Sequence, residues 1–293
     1  MSKYTYQEKN GYRTGVIQTT RGPIHTPTFI PVTTFGDKYP LDRLVQPYLK
    51  RLSQCIMVSY HYARLMKERP EMPMFIDSGG FASLFEGSEI IEHKDCASIR
   101  TKDGEEIHPL KVLEFQEQHA DLAATLDFII SPGMDLAEAC RRQKLTIKNA
   151  FYALKQKRSK SLFLYASLQC WDEKSARTCA REYAKAGFDG IGIGGLVPRI
   201  RDEDYIKRIV SAVREEIPEL AIHVFGIGKL EMVNLLWDLQ VDSTDSSSYV
   251  REAVGNLTPR FMFLPSGKAS QGPHTPLLTA LSNLWSLSRS VGL

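Results

Sequence analysis

The chain has no cysteine pattern of a secreted or metal-stapled domain. Its five cysteines, Cys55, Cys96, Cys140, Cys170 and Cys179, are scattered, odd in number and never spaced CxxC. That argues against a disulfide framework and a cysteine-built zinc site, and for a reducing compartment. Also missing is any uninterrupted apolar run of about 18 residues, so no membrane span is expected. The opening Met1-Ser2-Lys3-Tyr4 lacks the apolar core of a secretion signal, so a cytoplasmic setting is the expectation. No low-complexity stretch or long linker divides the chain. Strong charge of one sign is absent too: 37 Lys and Arg stand against 34 Asp and Glu, a formal net charge of +3. Such a balance permits a nucleic-acid partner without demanding one.

What is present is strand–helix alternation over 293 residues with 43% hydrophobic content, enough for one large α/β domain. Gly11 to Gln18 and the turn Arg21-Gly22-Pro23 read as an N-terminal hairpin, and Thr28-Phe29-Ile30-Pro31-Val32 as the first core strand. Further strands are expected over Cys55–Tyr60, Met74–Ile76, Leu122–Ile130 (interrupted by Asp127), Ser161–Gln169, Asp189–Gly195, Ala221–Gly226 and Val241–Asp245. Helical spacing runs over Leu41–Leu52, Leu110–His119, Met134–Lys157, Ala176–Ala186, Asp204–Glu216 and Leu230–Leu239, with a short helix expected over Arg64–Arg69. Residues 86–110 are polar and hairpin-like, with Lys102-Asp103-Gly104 as a turn. Short connections between alternating elements imply parallel pairing and right-handed crossovers. About eight strands close a (β/α)8 TIM barrel of typically ~250 residues. The expected organisation is one barrel domain over residues 1–256 and a short C-terminal tail over residues 257–293.

Polar groups recur where strands should end: Tyr60/His61, Asp77, Asp127, Gln169, Gly194-Gly195, Gly226/Gly228 and Asp245. Buried parallel strands otherwise read as unbroken apolar runs, so the repeated polar endings mark one shared mouth. Asp77-Ser78-Gly79-Gly80-Phe81 is the most pointed of them, a strand that delivers a carboxylate into a turn where backbone can approach a ligand. Three carboxylates at one opening repel unless some are protonated or hydrogen-bonded. Plainer readings exist: Asp77 or Asp245 as a helix cap, His61 as a hydrogen-bonded structural residue. Asp127 inside an apolar stretch must be paired or functional.

Taken in order, Asp77-Ser78-Gly79-Gly80-Phe81, Asp127, Gln169, Ile193-Gly194-Gly195-Leu196, Gly226-Ile227-Gly228 and Val241-Asp242-Ser243-Thr244-Asp245 resemble the tRNA-guanine transglycosylase family. Thr26 to Val32 and Tyr60-His61 are similar to its early strands, and the likeness covers roughly residues 11–256. The resemblance implies a (β/α)8 barrel that cuts guanine from a polynucleotide and installs a 7-deazaguanine such as preQ0 or preQ1. Such base exchange at a ribosyl carbon parallels retaining glycoside hydrolysis. By position Asp245 is the nucleophile and Asp77 the acid/base. The resemblance further implies that Asp127, Gln169 and the backbone of Gly194, Gly195 and Leu196 read the purine edge. Ser78 and Gly79 complete the turn beneath it, and Phe81 or Leu196 covers the ring face.

The chain departs from the family pattern at Ala82, Phe128 and Cys170-Trp171. The residues after Asn256 contain no cysteine, so the family's Cys/Cys/Cys/His zinc element is not expected, nor any other metal or cofactor. That departure tilts the substrate toward DNA over tRNA, with free guanine or 7-deazaguanine as the second partner. Arg141, Lys144 and Lys148, with Lys155 and Arg158, form a basic stripe that could meet phosphates. Arg251, which matches a family arginine, and Arg260, Lys268 and Arg289 could do so further on. Two alternatives remain open, a non-catalytic nucleic-acid-binding partner subunit of a transglycosylase and an unrelated small-molecule barrel enzyme. A homodimer or another subunit is compatible with all of these.

Overall fold

A computed structural model describes residues 3–9, 11–36, 39–254 and 275–290. Eight parallel strands form its centre: β1 Thr28–Pro31, β2 Ile56–Ser59, β3 Met74–Asp77, β4 Leu122–Ala124, β5 Phe163–Leu168, β6 Gly190–Ile193, β7 Ala221–Val224 and β8 Ser243–Ser246. They are hydrogen-bonded in the order β1-β8-β7-β6-β5-β4-β3-β2. Val32 bridges Met57 in parallel, and the Thr33 amide donates to the Met57 carbonyl at 2.9 Å, so the last strand returns to the first. The expected (β/α)8 barrel is therefore the observed one. No helix among the described residues is long and apolar enough to cross a membrane.

Alternation along each strand sorts side chains into two layers. Outward residues such as Phe29, Val58, Ile76, Leu164, Ile191 and Ile222 pack in one cluster with the surrounding helices. Inward residues Ile30, Met57, Phe75, Leu122, Phe163 and Tyr165 fill the barrel axis in a second cluster. Inward-facing β6 supplies Gly190 and Gly192, where an added Cβ would sit 2.6 Å from the Tyr165 ring and 2.5 Å from the Phe225 ring. Absence of side chains on one strand makes room for aromatic rings from its neighbours.

The N-terminal end of the barrel is closed by an antiparallel sheet of Tyr4–Lys9, Tyr12–Thr19 and Gly22–Thr26. Its Tyr4, Ile17 and Ile24 join the inner cluster. Two buried acids fasten it. Asp242, just before β8, accepts from the Tyr4 hydroxyl, from Arg214 Nη2 at 2.8 Å and from the Ile222 amide at 2.7 Å, and pairs with Arg13 Nε at 3.4 Å. Asp121, just before β4, accepts from Arg21 at 2.8 Å, from Thr20 at 3.0 Å and from the Met74 amide at 2.9 Å. Charges this deep are tolerated because each carboxylate has several donors.

Three local expectations change. The hairpin has an additional first strand, Tyr4–Lys9. After Thr125, whose amide still donates to the Tyr165 carbonyl at 3.1 Å, residues 126–130, read as the continuation of β4, leave the sheet: Phe128, Ile129 and Ile130 amides donate to Thr146 Oγ1, Ser83 Oγ and Gln169 Oε1 rather than to a neighbouring strand. Arg64–Arg69 is not helical, and the helical turn is Tyr60–Ala63 instead. Pro70 disfavours helix at the residue before it, and Arg69 reaches toward Asp121 at 3.5 Å. The polar residues 86–110 do pair, as Glu89–Glu92, Ala97–Arg100 and Glu106–Ile107. Of the expected tail, residues 257–274 lie outside the described residues, while Thr275–Ser288 is a helix packed on Ser248–Val254 and Pro40–Leu52.

Asp242→Ala would leave buried Arg214 without a carboxylate and Arg13 with Glu8 alone, and breaking a buried pair from one side costs about 3–5 kcal/mol. Urea denaturation should show a correspondingly lower midpoint; an unchanged midpoint would remove this network from the account of stability.

Candidate active site

At the carboxyl ends of the strands the inward positions turn polar. Asp77 ends β3 and Asp245 lies on β8, each with the parity of the inner layer (Phe75 and Asp77; Ser243 and Asp245). Asp127 and Gln169 follow β4 and β5, and Gly194-Gly195 follows β6. The expected convergence of these residues on one mouth is what the chain path produces.

Asp77 carries the clearest electrostatic signature. Burial, then the charges of Asp127 and Asp245, push its carboxyl up to about 7, against small opposing help from the Gly79 and Ser78 amides. Asp127 is also raised, by burial, while hydrogen bonds from Gln169 and Ser78 hold it back. Gln169 Nε2 donates to Asp127 Oδ2 at 2.6 Å, and Ser78 Oγ donates to Oδ1 at 3.2 Å. The Ile130 amide donates to Gln169 Oε1 at 3.2 Å, which fixes the orientation of the amide. Glycines permit this packing: a Cβ on Gly80 would overlap Asp127, and one on Gly194 would overlap Gln169. Gly79 and Gly195 take φ +80 and +74, so both turns run through the left-handed region.

Asp245 is not a helix cap. Its Oδ1 accepts from His223 Nε2 at 3.0 Å and from the Gly226 amide at 3.0 Å. His223, fully buried on β7, meets Ser243 Oγ at 2.8 Å through its other nitrogen. Sequence reasoning passed over this histidine. The available signal was a lone imidazole at an inward position of Ala-Ile-His-Val-Phe, on the strand next to the one that carries Asp245.

Phe81 is 61% exposed at the rim and meets Phe85 edge to face at 5.6 Å, whereas Leu196 is buried. Tyr60 is packed against Phe115 and His61 is exposed. The basic stripe is only partly available. Arg141 pairs with Glu92 at 2.8 Å and Glu138 at 3.2 Å, Lys148 donates to the His93 carbonyl, and Lys144 and Arg251 are exposed. Glu92 comes from the 89–107 sheet, so the basic residues of the helix are less free than its own sequence suggests. Lys155 and Arg158 sit at the end of the helix away from the mouth, and Arg260 and Lys268 lie outside the described residues. Among the described residues no cluster of His, Cys, Asp and Glu is arranged to hold a metal.

The geometry joins a carboxylate anchored on one oxygen, a carboxyl poised near neutrality and a rigid donor–acceptor pair beside a glycine turn. Such a set can attack an electrophilic carbon, move a proton and hold a planar polar ring. A family profile described as queuine tRNA-ribosyltransferase matches residues 8–259. The chain is similar to the tRNA-guanine(15) transglycosylase of Methanocaldococcus jannaschii, with 26% identity over 246 residues, 81% of this chain and 37% of that protein. It is similar as well to the queuine tRNA-ribosyltransferases of Chlamydia pneumoniae, 28% identical over 82% of this chain and 73% of the relative, and Thermosipho africanus, 29% identical over 80% and 69%. The chain thus spans well under half of the archaeal relative's length.

A carboxyl raised from 3.8 to about 7 on folding weakens stability as pH climbs between those values, because the unfolded chain ionises first. Asp77→Asn should therefore gain thermal stability relative to the parent protein at pH 8 but not at pH 4. Equal differences at the two pH values would contradict the raised carboxyl.

Proposed function

This chain belongs to the queuine tRNA-ribosyltransferase family, and on that ground we propose that it exchanges a guanine in a polynucleotide for a free purine-like base. In this reading Asp245 attacks the sugar C1′ as the bond to guanine N9 breaks, and Asp77 gives its proton to the departing base. The incoming base then loses a proton to Asp77, its N9 attacks C1′, and Asp245 leaves as a carboxylate. Two inversions leave the sugar configuration retained. The gathering of Asp77, Asp127, Gln169 and Asp245 at the strand ends carries the proposal, and burial with the neighbouring charges raises the Asp77 carboxyl to where it can be acid in one half-reaction and base in the next.

Asp127 would accept from N1–H and the 2-amino group of guanine, and the remaining amide hydrogen of Gln169 would donate to O6. Adenine offers the opposite pattern at the same edge, leaving buried groups unpaired. Phe81 would cover the ring from the rim. The incoming base is read as a 7-deazaguanine of the preQ0 or preQ1 type, supported by the family likeness. The names of the relatives favour tRNA as the polymer, with DNA as the alternative substrate; the departures at Ala82, Phe128 and Cys170-Trp171 alter the pocket lining and bear on which base enters. A duplex substrate would need its guanine flipped out, at a cost of a few kcal/mol.

Incubation with labelled guanine and, separately, tRNA and DNA should label one polymer. Asp245→Ala should slow that labelling on the order of 1,000-fold or more while guanine binding persists. A variant that exchanged at the parent rate would remove Asp245 as nucleophile, and a gel shift without exchange by the parent protein would favour the binding-subunit reading.

A further inference from the structure

The imidazole of His223 stands between Ser243 and Asp245 and is used by nothing in the reaction described above. It has no solvent exposure and is boxed by the rings of Phe75, Tyr165 and Phe225, with centroids 4.9, 5.8 and 4.6 Å away. A polar ring held this deep in an apolar box must have its hydrogen bonds satisfied. Both are: Nδ1 to Ser243 Oγ at 2.8 Å and Nε2 to Asp245 Oδ1 at 3.0 Å.

Which nitrogen carries the hydrogen follows from the partners. An ionised Asp245 can only accept, so the shared hydrogen belongs to Nε2. In the neutral ring Nδ1 is then an acceptor, and the Ser243 hydroxyl supplies the matching donor. Ser243 and Asp245 lie two residues apart on one strand face, and His223 lies opposite Ser243 in the register of β7 and β8. The strand pairing itself therefore sets the spacing of this Ser–His–Asp line.

We propose that His223 is a positioning residue that, together with the Gly226 amide, pins Asp245 Oδ1 and so presents Oδ2 as the attacking oxygen. Oδ1 takes both donors, and no hydrogen bond from the described residues reaches Oδ2. The division lets one oxygen fix the carboxylate plane while the other keeps its lone pairs free. This inference rests on the base-exchange reading for its catalytic consequence, but its geometry stands without it.

Two variants and one spectrum test it. His223→Phe fits the aromatic box and deletes the donor; His223→Gln returns an amide N–H. With the polymer that takes labelled guanine, His223→Phe should lower kcat on the order of 10- to 100-fold, the worth of a hydrogen bond to a charged group. KM and guanine affinity should stay within about threefold, and His223→Gln should recover several-fold of the lost rate. Independently, nitrogen-edited NMR of the parent protein should show a protected, downfield His223 Nε2–H that moves upfield in Asp245→Asn. An unchanged kcat in His223→Phe, or a His223→Gln as slow as His223→Phe at equal thermal midpoint, overturns the positioning role. Absence of the protected resonance overturns the geometry. A parent protein that labels no polymer sinks the base-exchange reading alone, and the NMR result then decides the placement of His223.

Discussion

Burial of several acids together at one end of a closed barrel is the constraint from which the remaining features follow. Burial and the neighbouring charges of Asp127 and Asp245 make ionisation of Asp77 costly. The fold leaves that cost in place at this end. Among the described residues neither Asp77 nor Asp127 forms an ion pair, and the one basic side chain that pairs with Asp245 is His223. At the opposite end Asp121 and Asp242 are more deeply buried than the half-buried Asp77, yet each is met by arginines. One scaffold thus treats buried carboxylates in two ways, neutralising those that hold the N-terminal sheet and leaving unneutralised those that face the mouth. Unrelieved electrostatic cost of this kind concentrates at functional sites.

Closure makes the crowding unavoidable. The Val32–Met57 bridge returns the sheet to its start, so inward positions of every strand point at a common axis. Tyr165 and Phe225 fill that axis against Gly190 and Gly192, and His223 lies among them directly beneath the acids. Above this aromatic floor the lining is polar and held from behind: Gln169 by the Ile130 amide, Asp127 by Ser78 and Gln169, Asp245 by His223 and Gly226. Groups restrained in this way need little reorganisation when charge develops on a bound ring or sugar.

Much of this was legible in the sequence, and unevenly so. The eight strands and the order of polar strand ends could be read because parallel strands are apolar runs, against which Asp77, Asp127, Gln169 and Asp245 stand out. Strand limits were harder: residues 128–130 look like a strand but bond to side chains of Thr146, Ser83 and Gln169, partners far off in sequence. His223 escaped because a histidine between Ile222 and Val224 looks like core, and its meaning depends on register with Ser243 and Asp245. Asp242 could be read only as one residue of the Val241–Asp245 strand, although its backbone position places it at the other end of the barrel from Asp245. The basic stripe was legible as composition but not as available charge, since Glu92 reaches Arg141 from a different sheet.

The central claim is electrostatic and can be tested without any substrate. Carboxyl carbon resonances of Asp77, followed by NMR from pH 4 to pH 9, report its titration in the parent protein and in Asp245→Asn. Shared occupancy of one mouth predicts a midpoint near 7 in the parent and a lower one, still well above the ordinary carboxyl range because burial persists, once the Asp245 charge is gone. A midpoint near 4 in the parent, or one indifferent to Asp245, would contradict it.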